Sequence, residues 1–90
     1  MRTAKKMSCI IPVYNEQDNV YEMIKTTGHI ISHLVEEYEI IVVDDGSRDN
    51  SVMNASQAIN EVTIKIIELS RNFGKEIAIS AGLEHCDGDV

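Results

Sequence analysis

The sequence has little positive charge. It carries 8 Lys and Arg residues against 15 Asp and Glu residues, which gives a formal net charge of −7. Proteins that hold a nucleic-acid backbone neutralise its phosphates with a stripe of Lys and Arg, and no such stripe is visible here. Nucleic acid is therefore excluded as the expected partner. A small basic cluster, Arg2, Lys5 and Lys6, is interpreted as a solvated tail over residues 1–6, with a membrane-surface contact as the weaker alternative.

Proline, cysteine and long apolar runs are also scarce. A single proline together with 43% hydrophobic residues argues against a disordered chain. Cys9 and Cys86 lie far apart and form no metal-spaced pair, so a reducing cytoplasm is expected rather than a disulfide framework. No apolar run approaches the roughly 18 residues that cross a bilayer. The 90 residues form one small domain at most, assigned to residues 7–90.

Two glycine-rich phosphate-binding motifs are missing from the sequence. No Gly-x-Gly-x-x-Gly follows the first apolar run, and no Gly-x-x-x-x-Gly-Lys-Ser/Thr occurs in the 90 residues. Both motifs work by bringing backbone N–H groups close to phosphates. A dinucleotide-dependent enzyme and a P-loop nucleotide hydrolase are therefore disfavoured.

Strand-like and helix-like patterns alternate along the chain. Apolar, β-branched runs predict strands at residues 7–13, 38–43 and 62–69, and the continuous run at 38–43 indicates burial on both faces of a parallel sheet. Strands that alternate with amphipathic helices predict a Rossmann-like, three-layer α/β/α fold with a parallel sheet. The predicted helices are residues 17–35, 50–59 and 75–85, and Val90 is predicted to begin a fourth strand.

Acidic residues follow two of the predicted strands. Asp44 and Asp45 come directly after residues 38–43, and Glu16 comes shortly after residues 7–13. Because the carboxyl ends of parallel strands share one edge of the sheet, these carboxylates are expected on one rim, where such folds bind ligands. Crowded carboxylates need partners, such as a metal, a base edge, a sugar hydroxyl or backbone N–H groups. The simpler alternative is a solvated acidic turn with a helix cap.

Short blocks of sequence occur in a recognisable order along nearly the whole chain. They are residues 11–16 (IPVYNE), 41–49 (IVVDDGSRD), 71–75 (RNFGK), 81–83 (AGL) and 88–89 (GD). Each block is weak alone, but together they resemble the N-terminal part of inverting family 2 glycosyltransferases of the GT-A fold. The resemblance implies an enzyme with a nucleotide-diphospho-sugar donor, either a UDP-sugar or a GDP-sugar.

The RNFGKE string that begins at Arg71 narrows the resemblance. It is most similar to the branch that moves a sugar onto a polyprenyl phosphate, such as dolichol-phosphate mannose synthases and bactoprenol glucosyltransferases. This branch implies a polyprenyl phosphate acceptor and a role in cell-wall or lipopolysaccharide glycosylation. It also implies a cytoplasmic location, at the membrane face if the full-length protein carries C-terminal membrane segments.

The resemblance implies nucleotide-sugar-binding roles for nine residues. Pro12, Tyr14 and Glu16 are expected to line the base and ribose pocket, Asp44 to hydrogen-bond the base or ribose, and Lys75 to lie near the diphosphate or base. The other four are Asp45, Gly46 and Ser47, which shape the turn, and Asp89, which precedes the strand leading to the family's metal motif.

The resemblance also implies Mg²⁺ or Mn²⁺ on the donor diphosphate, held by an Asp-x-Asp motif in the complete enzyme. By that resemblance the motif follows the strand that begins at Val90. No metal ligand and no catalytic residue is therefore assigned within this sequence, and the 90-residue chain alone is expected to be inactive.

Two other hypotheses remain beside the enzyme. One is a non-catalytic remnant that binds a nucleotide. The other is a self-associating fragment, because in the family's sheet the strand after residues 88–89 covers the edge of the first strand, and an uncovered apolar edge pairs with other chains. A receiver-type regulatory domain is disfavoured, since it would place its acidic pair after the first strand.

Overall fold

The computed structural model describes residues 4–86 and shows a parallel three-stranded sheet with the order β1-β2-β3. Each strand is followed by a helix, as the alternating sequence pattern predicts. The strands are β1 (Ala4–Val13), β2 (Val35–Asp44) and β3 (Ile64–Glu68), and the helices are α1 (Val20–Ser32), α2 (Ser51–Ser56) and α3 (Lys75–Glu84).

The central strand β2 explains the layered arrangement. Successive side chains of a strand point to opposite faces, and in β2 both faces are apolar. Ile40 and Val42 face α1 and α2, whereas Ile41 and Val43 face Ala78 of α3. All five of these residues are no more than 1% exposed. The prediction of a parallel α/β/α fold, buried on both faces of its second strand, is confirmed.

Small residues let α3 lie close to the sheet. A Cβ atom added at Gly82 would stand 2.6 Å from Cγ2 of Ile10, and Ala78 is fully buried. The small-residue face predicted for this helix therefore contacts the sheet, which holds the start of α3 at the carboxyl end of the strands.

The boundaries of α1 differ from the prediction of residues 17–35. The helix begins at Val20, and residues 17–19 before it form a turn in which the N–H of Asn19 bonds the carbonyl of Glu16. It ends at Ser32, because Val35 already pairs with Ala4 as the first residue of β2. Leu34, which the helical pattern placed on the buried face, is 50% exposed. The predicted helix was too long because Leu34 in the connection and Val35 in the next strand happen to continue the helical spacing of apolar residues.

Other boundaries shift by a few residues. Strand β1 starts at Ala4 rather than at residue 7. Residues 4–6, predicted as part of the tail, therefore belong to the sheet. After Ser56 the chain makes turns in which each N–H bonds the carbonyl three residues earlier, which ends α2 before the predicted residue 59. The predicted start of a fourth strand at Val90 lies outside the described residues. Within residues 4–86, no helix is long and apolar enough to cross a membrane.

Candidate functional site

Three loops meet at the carboxyl edge of the sheet. They follow β1, β2 and β3, and we name them the first rim loop (residues 14–19), the second rim loop (residues 45–50) and the third rim loop (residues 69–74). Parallel strands bring their carboxyl ends together, so this edge collects residues that are far apart in the sequence.

Hydrogen bonds join the first and second rim loops. The N–H of Asn15 donates to Oγ of Ser47 at 2.8 Å, and the N–H of Glu16 donates to Oγ of Ser51 at 2.8 Å. Asn15 has φ 52°, a left-handed conformation that asparagine tolerates better than most residues. The N–H of Gln17 donates to Oδ2 of Asp49 at 3.2 Å. In the opposite direction, the N–H of Arg48 donates to Oδ1 of Asn15 at 2.9 Å, and the N–H of Asn50 donates to Oε1 of Gln17 at 3.0 Å.

Asp49 is held as a carboxylate by its position at the start of α2. The hydroxyl of Ser51 donates to Oδ1 of Asp49 and lowers the pKa of this carboxyl below its ordinary value, and the N–H groups of Ser51 and Gln17 act in the same direction. The charged form of Asp49 is therefore one of the groups that hydrogen-bond the two loops to each other.

Asp44, the last residue of β2, is 4% exposed. Its Oδ2 atom accepts a hydrogen bond from the N–H of Ser47 at 3.0 Å. Its Oδ1 atom is buried and has no hydrogen-bond partner among the described residues. A buried carboxylate oxygen without a partner is costly, which makes this atom a candidate acceptor for a ligand.

Asp45 is equally buried, at 4% exposure, but its carboxylate is satisfied. Oδ1 accepts the N–H of Phe73 at 2.8 Å, and Oδ2 accepts the N–H of Gly74 at 3.1 Å. The two adjacent aspartates thus differ in the hydrogen bonds that their carboxylates accept. Asp45 binds the third rim loop with both oxygens, whereas Asp44 keeps one oxygen free.

Gly46 brings the second and third rim loops into direct contact. It has φ +75°, and a Cβ atom at this position would stand 2.3 Å from the carbonyl carbon of Arg71 and 2.5 Å from the nitrogen of Asn72. Both the backbone angle and the contact with backbone atoms require glycine. The tight turn expected at Gly46 is therefore also a packing point.

Two cavities open along this rim on either side of Tyr14 and Asn72, which line both. We name them the Asp44 cavity, of about 340 Å³, and the Lys75 cavity, of about 370 Å³. All eight described residues that the sequence assigned to nucleotide-sugar binding line one or both. Asp89, the ninth, lies outside the described residues. The Asp44 cavity takes Tyr14, Asp44, Gly46 and Ser47, and the Lys75 cavity takes Pro12, Tyr14, Glu16, Asp45 and Lys75.

The structure adds residues that the sequence interpretation did not assign to the site. Asn72 lies between the two cavities, and Arg48, Glu68 and Ser70 line the Asp44 cavity. Asn72 belongs to the block that carries the family resemblance, so a signal for it was present. Arg48 and Glu68 were not marked by any local pattern.

A larger cavity, of about 510 Å³, lies at the opposite end of the sheet and includes Glu39 and Lys65 in its walls. Glu39 is buried, accepts a hydrogen bond from the hydroxyl of Ser8 at 2.5 Å and pairs with Nζ of Lys65 at 3.0 Å. Its carboxylate is thus compensated from within the chain, unlike Asp44. The rim cavities, rather than this larger one, are the candidate site.

The described residues do not form a metal site. Between residues 4 and 86, no group of three or more His, Cys, Asp or Glu side chains is arranged to hold a metal ion. The acidic residues of the rim are used otherwise, since Asp45 binds backbone N–H groups and Asp49 joins the two loops. The divalent cation that the family resemblance implies is therefore not assigned to these residues.

The arrangement is similar to the N-terminal part of solved GT-A-type glycosyltransferases. A mannosyltransferase from Pyrobaculum calidifontis, solved with GDP-Man and Mn²⁺, matches 97% of this chain with a TM-score of 0.73 and 22% identity. Residues 1–349 of S. aureus TarS match 92% with a TM-score of 0.74 and 24% identity. Glucosyl-3-phosphoglycerate synthase of M. tuberculosis, solved with Mn²⁺, UDP-Glc and phosphoglyceric acid, matches 94% with a TM-score of 0.72 and 24% identity.

The chain spans 27%, 25% and 30% of the length of these three proteins. The fold is that of the N-terminal part of a GT-A-type α/β domain. The model of the family described as glycosyl transferase family 2 matches residues 8–90. The chain belongs to glycosyl transferase family 2.

Proposed function

We propose that residues 7–90 form the donor-binding part of a glycosyltransferase that takes its sugar from a nucleotide-diphospho-sugar. The observation that carries the proposal is the buried, unpartnered Oδ1 atom of Asp44, a residue that lines a cavity at the end of the central strand. Among the parts of a donor nucleotide, the ring N–H of uracil or guanine is a donor that this oxygen accepts. UDP- and GDP-sugars therefore remain the two candidate donors.

Tyr14 and its neighbours suit the remainder of a nucleoside. Tyr14 is 44% exposed and lies between the two cavities, where its ring offers a face for stacking on a base. Pro12 and Glu16 line the adjoining Lys75 cavity. A carboxylate such as Glu16 is a suitable acceptor for ribose hydroxyls. In this proposal the base and the ribose lie between the side chains of Asp44 and Glu16.

Cationic side chains on the same rim suit the diphosphate. Arg71 lines the Asp44 cavity and Lys75, the first residue of α3, lines the Lys75 cavity. Both are exposed. In this proposal the described residues bind and orient the nucleoside diphosphate, which is the leaving group of the transfer, and supply no catalytic base.

The proposed acceptor is a polyprenyl phosphate, and the support for it is the RNFGKE string of the third rim loop and α3. Mg²⁺ or Mn²⁺ is proposed for the complete enzyme, as in the solved relatives whose names include Mn²⁺. Asp89 is proposed to lead into that metal-binding region. A cytoplasmic location, at the membrane face in a full-length protein, goes with this acceptor.

Titration calorimetry with matched nucleotides tests the donor proposal. CDP has the ribose and diphosphate of UDP, but its ring nitrogen N3 accepts where that of uracil donates, and ADP stands in the same relation to GDP at N1. We expect UDP to bind about tenfold or more tightly than CDP, or GDP than ADP, since hydrogen bonds to charged groups contribute about 1.5–3 kcal/mol. Equal binding of all four, or of none, would reject the proposal.

A second candidate is self-association, and the edge of β1 favours it. In the described sheet β1 pairs with β2 on one side only, and its ten residues are an extended, partly apolar edge. Such edges pair with other chains. Sedimentation of the purified 90-residue chain over a range of concentrations tests this, with dimers or larger species expected. A monomer at all concentrations would reject it.

A further inference from the structure

Asp45 and Gly46 fasten the third rim loop to the end of β2. The buried carboxylate of Asp45 takes the N–H groups of two consecutive residues, Phe73 and Gly74, at 2.8 and 3.1 Å. Gly46 packs on the backbone of Arg71 so closely that an added methyl group would collide with it. Two successive residues of the second rim loop thus fix the whole of the third rim loop.

The fastened segment leads directly into α3. Gly74 has φ +104° and is the N-cap residue of this helix, and as a glycine it offers no side chain to the N–H groups of the first turn. Because the carboxylate of Asp45 lies at this end of the helix, it also complements the positive end of the helix dipole. The position of Lys75, the first helical residue, follows from the position of Gly74.

The residues on either side of Phe73 and Gly74 line different cavities. Arg71 faces the Asp44 cavity, and Lys75 faces the Lys75 cavity. The contact between Asp45 and the segment 73–74 lies between them in the sequence. A shift of this segment would move both cations relative to Asp44, which β2 itself holds in place.

We propose that Asp45 is a positioning residue that places the cations of the third rim loop and of α3 against the phosphates of the donor, while Asp44 binds its base. The proposal rests on the function proposed above and divides the two adjacent aspartates between two tasks. Asp45 acts through the segment 71–75 and does not itself contact the nucleotide.

The direction of the effect in Asp45→Asn separates positioning from simple electrostatics. Removing a negative charge beside Lys75 would by itself strengthen the binding of phosphates. Positioning predicts the opposite, because an asparagine at this site loses one acceptor for the two N–H groups and turns an N–H donor toward one of them. The segment 73–74 then moves, and phosphate binding weakens.

NMR titrations with uridine, UDP and CDP, and with guanosine, GDP and ADP, measure the two tasks separately. In Asp45→Asn we expect the gain in affinity from nucleoside to diphosphate to fall about tenfold, while the preference for UDP over CDP, or for GDP over ADP, is unchanged. In Asp44→Asn we expect the reverse, with the base preference lost or inverted and the diphosphate gain kept. An unchanged or increased diphosphate gain in Asp45→Asn would overturn the proposal.

Amide hydrogen exchange tests the positioning without any ligand. The amides of Phe73 and Gly74 are expected to be protected in the wild-type protein, and to exchange at least about tenfold faster in Asp45→Asn but not in Asp44→Asn. Amides of β2, such as those of Ile41 and Val43, serve as the internal control for folding. Unprotected Phe73 and Gly74 amides in the wild type would overturn the proposal without a variant.

A second variant approaches the same segment from its other end. In Gly74→Ala the added methyl group meets no atom within 4 Å, but the backbone angle of φ +104° is one that side chains disfavour. This variant leaves Asp45 in place and is expected to reduce the diphosphate gain with the base preference kept. If wild-type protein binds neither UDP nor GDP, the donor proposal fails and the exchange measurement alone decides the role of Asp45.

Discussion

The Oδ2 atom of Asp44 accepts the backbone N–H of Ser47 at 3.0 Å, whereas the other carboxylate oxygen is buried and accepts no hydrogen bond from the described residues. This unpartnered oxygen has an energetic cost to the folded protein, and under the proposed function the base of the donor supplies its missing hydrogen bond.

Asp44→Asn is expected to leave the free energy of unfolding unchanged or to raise it by up to about 1 kcal/mol, since it removes an uncompensated buried charge and keeps an acceptor for Ser47. Chemical denaturation monitored by circular dichroism measures this. A loss of more than about 2 kcal/mol would instead indicate a purely structural aspartate, as in a capped acidic turn.

Gly46→Ala is expected to destabilise the protein by more than about 2 kcal/mol, because a left-handed backbone angle and a clash with the backbone of Arg71 act together. Gly74→Ala is the matched control. Its backbone angle of φ +104° is also one that side chains disfavour, but its added methyl group meets no atom within 4 Å. Equal losses in both variants would contradict the packing assigned to the second rim loop.

Acid should weaken the hydrogen bonds between the first and second rim loops, because it protonates the carboxylate of Asp49. Its pKa in the folded protein lies below the ordinary value of 3.8, so its contribution to stability is fully present above that value and is lost as the pH falls through the folded pKa. The unfolding free energy of Asp49→Asn should therefore fall less than that of the wild type between neutral pH and about pH 3.

Serine variants provide the control for this pH dependence. Ser51→Ala removes the hydroxyl that donates to Asp49 and should also flatten the acid dependence. Ser56→Ala, on the same helix, removes a hydroxyl that donates to the carbonyl of Met53 and should leave the wild-type curve. A flattened curve in Ser56→Ala, or an unchanged one in Ser51→Ala, would contradict the assignment.

Lys65 should matter more for stability than its exposed position indicates. It pairs with the buried carboxylate of Glu39 and also donates to the carbonyl of His85 at the end of α3. Lys65→Met is expected to destabilise the protein by about 1–3 kcal/mol. Lys25→Met, which breaks an ion pair with the exposed Glu61, is expected to cost less than about 1 kcal/mol. Thermal and urea denaturation of both variants gives the comparison, and similar losses would reject it.

The sequence predicted the rim well because parallel sheets leave few choices. An apolar run such as residues 38–43 is buried on both faces, and the residues directly after it must lie at the carboxyl edge. The convergence of Asp44, Tyr14 and Lys75 on this edge follows from strand direction alone. The same argument placed Pro12 and Glu16 beside them.

Long-range hydrogen bonds could not be predicted in the same way. The bond between Glu16 and Ser51 joins residues 35 positions apart, and nothing in either local sequence indicates the partner. For the same reason the sequence did not indicate that the carboxylate of Asp45 binds the N–H groups of Phe73 and Gly74. The end of α1 was misplaced because Leu34 and Val35 continued a helical spacing that the strand β2 overrides.

The measurement that tests the central claim most directly is the base preference of Asp44→Asn, determined by calorimetry with UDP against CDP and GDP against ADP. Glu22→Gln, which removes one negative charge from the exposed side of α1, is the control. We predict that the wild type and the control prefer UDP over CDP, or GDP over ADP, by about tenfold or more, and that Asp44→Asn loses or inverts this preference, because its amide nitrogen donates where the carboxylate accepted. A preference that persists in Asp44→Asn would contradict the assignment of this carboxylate to the donor base.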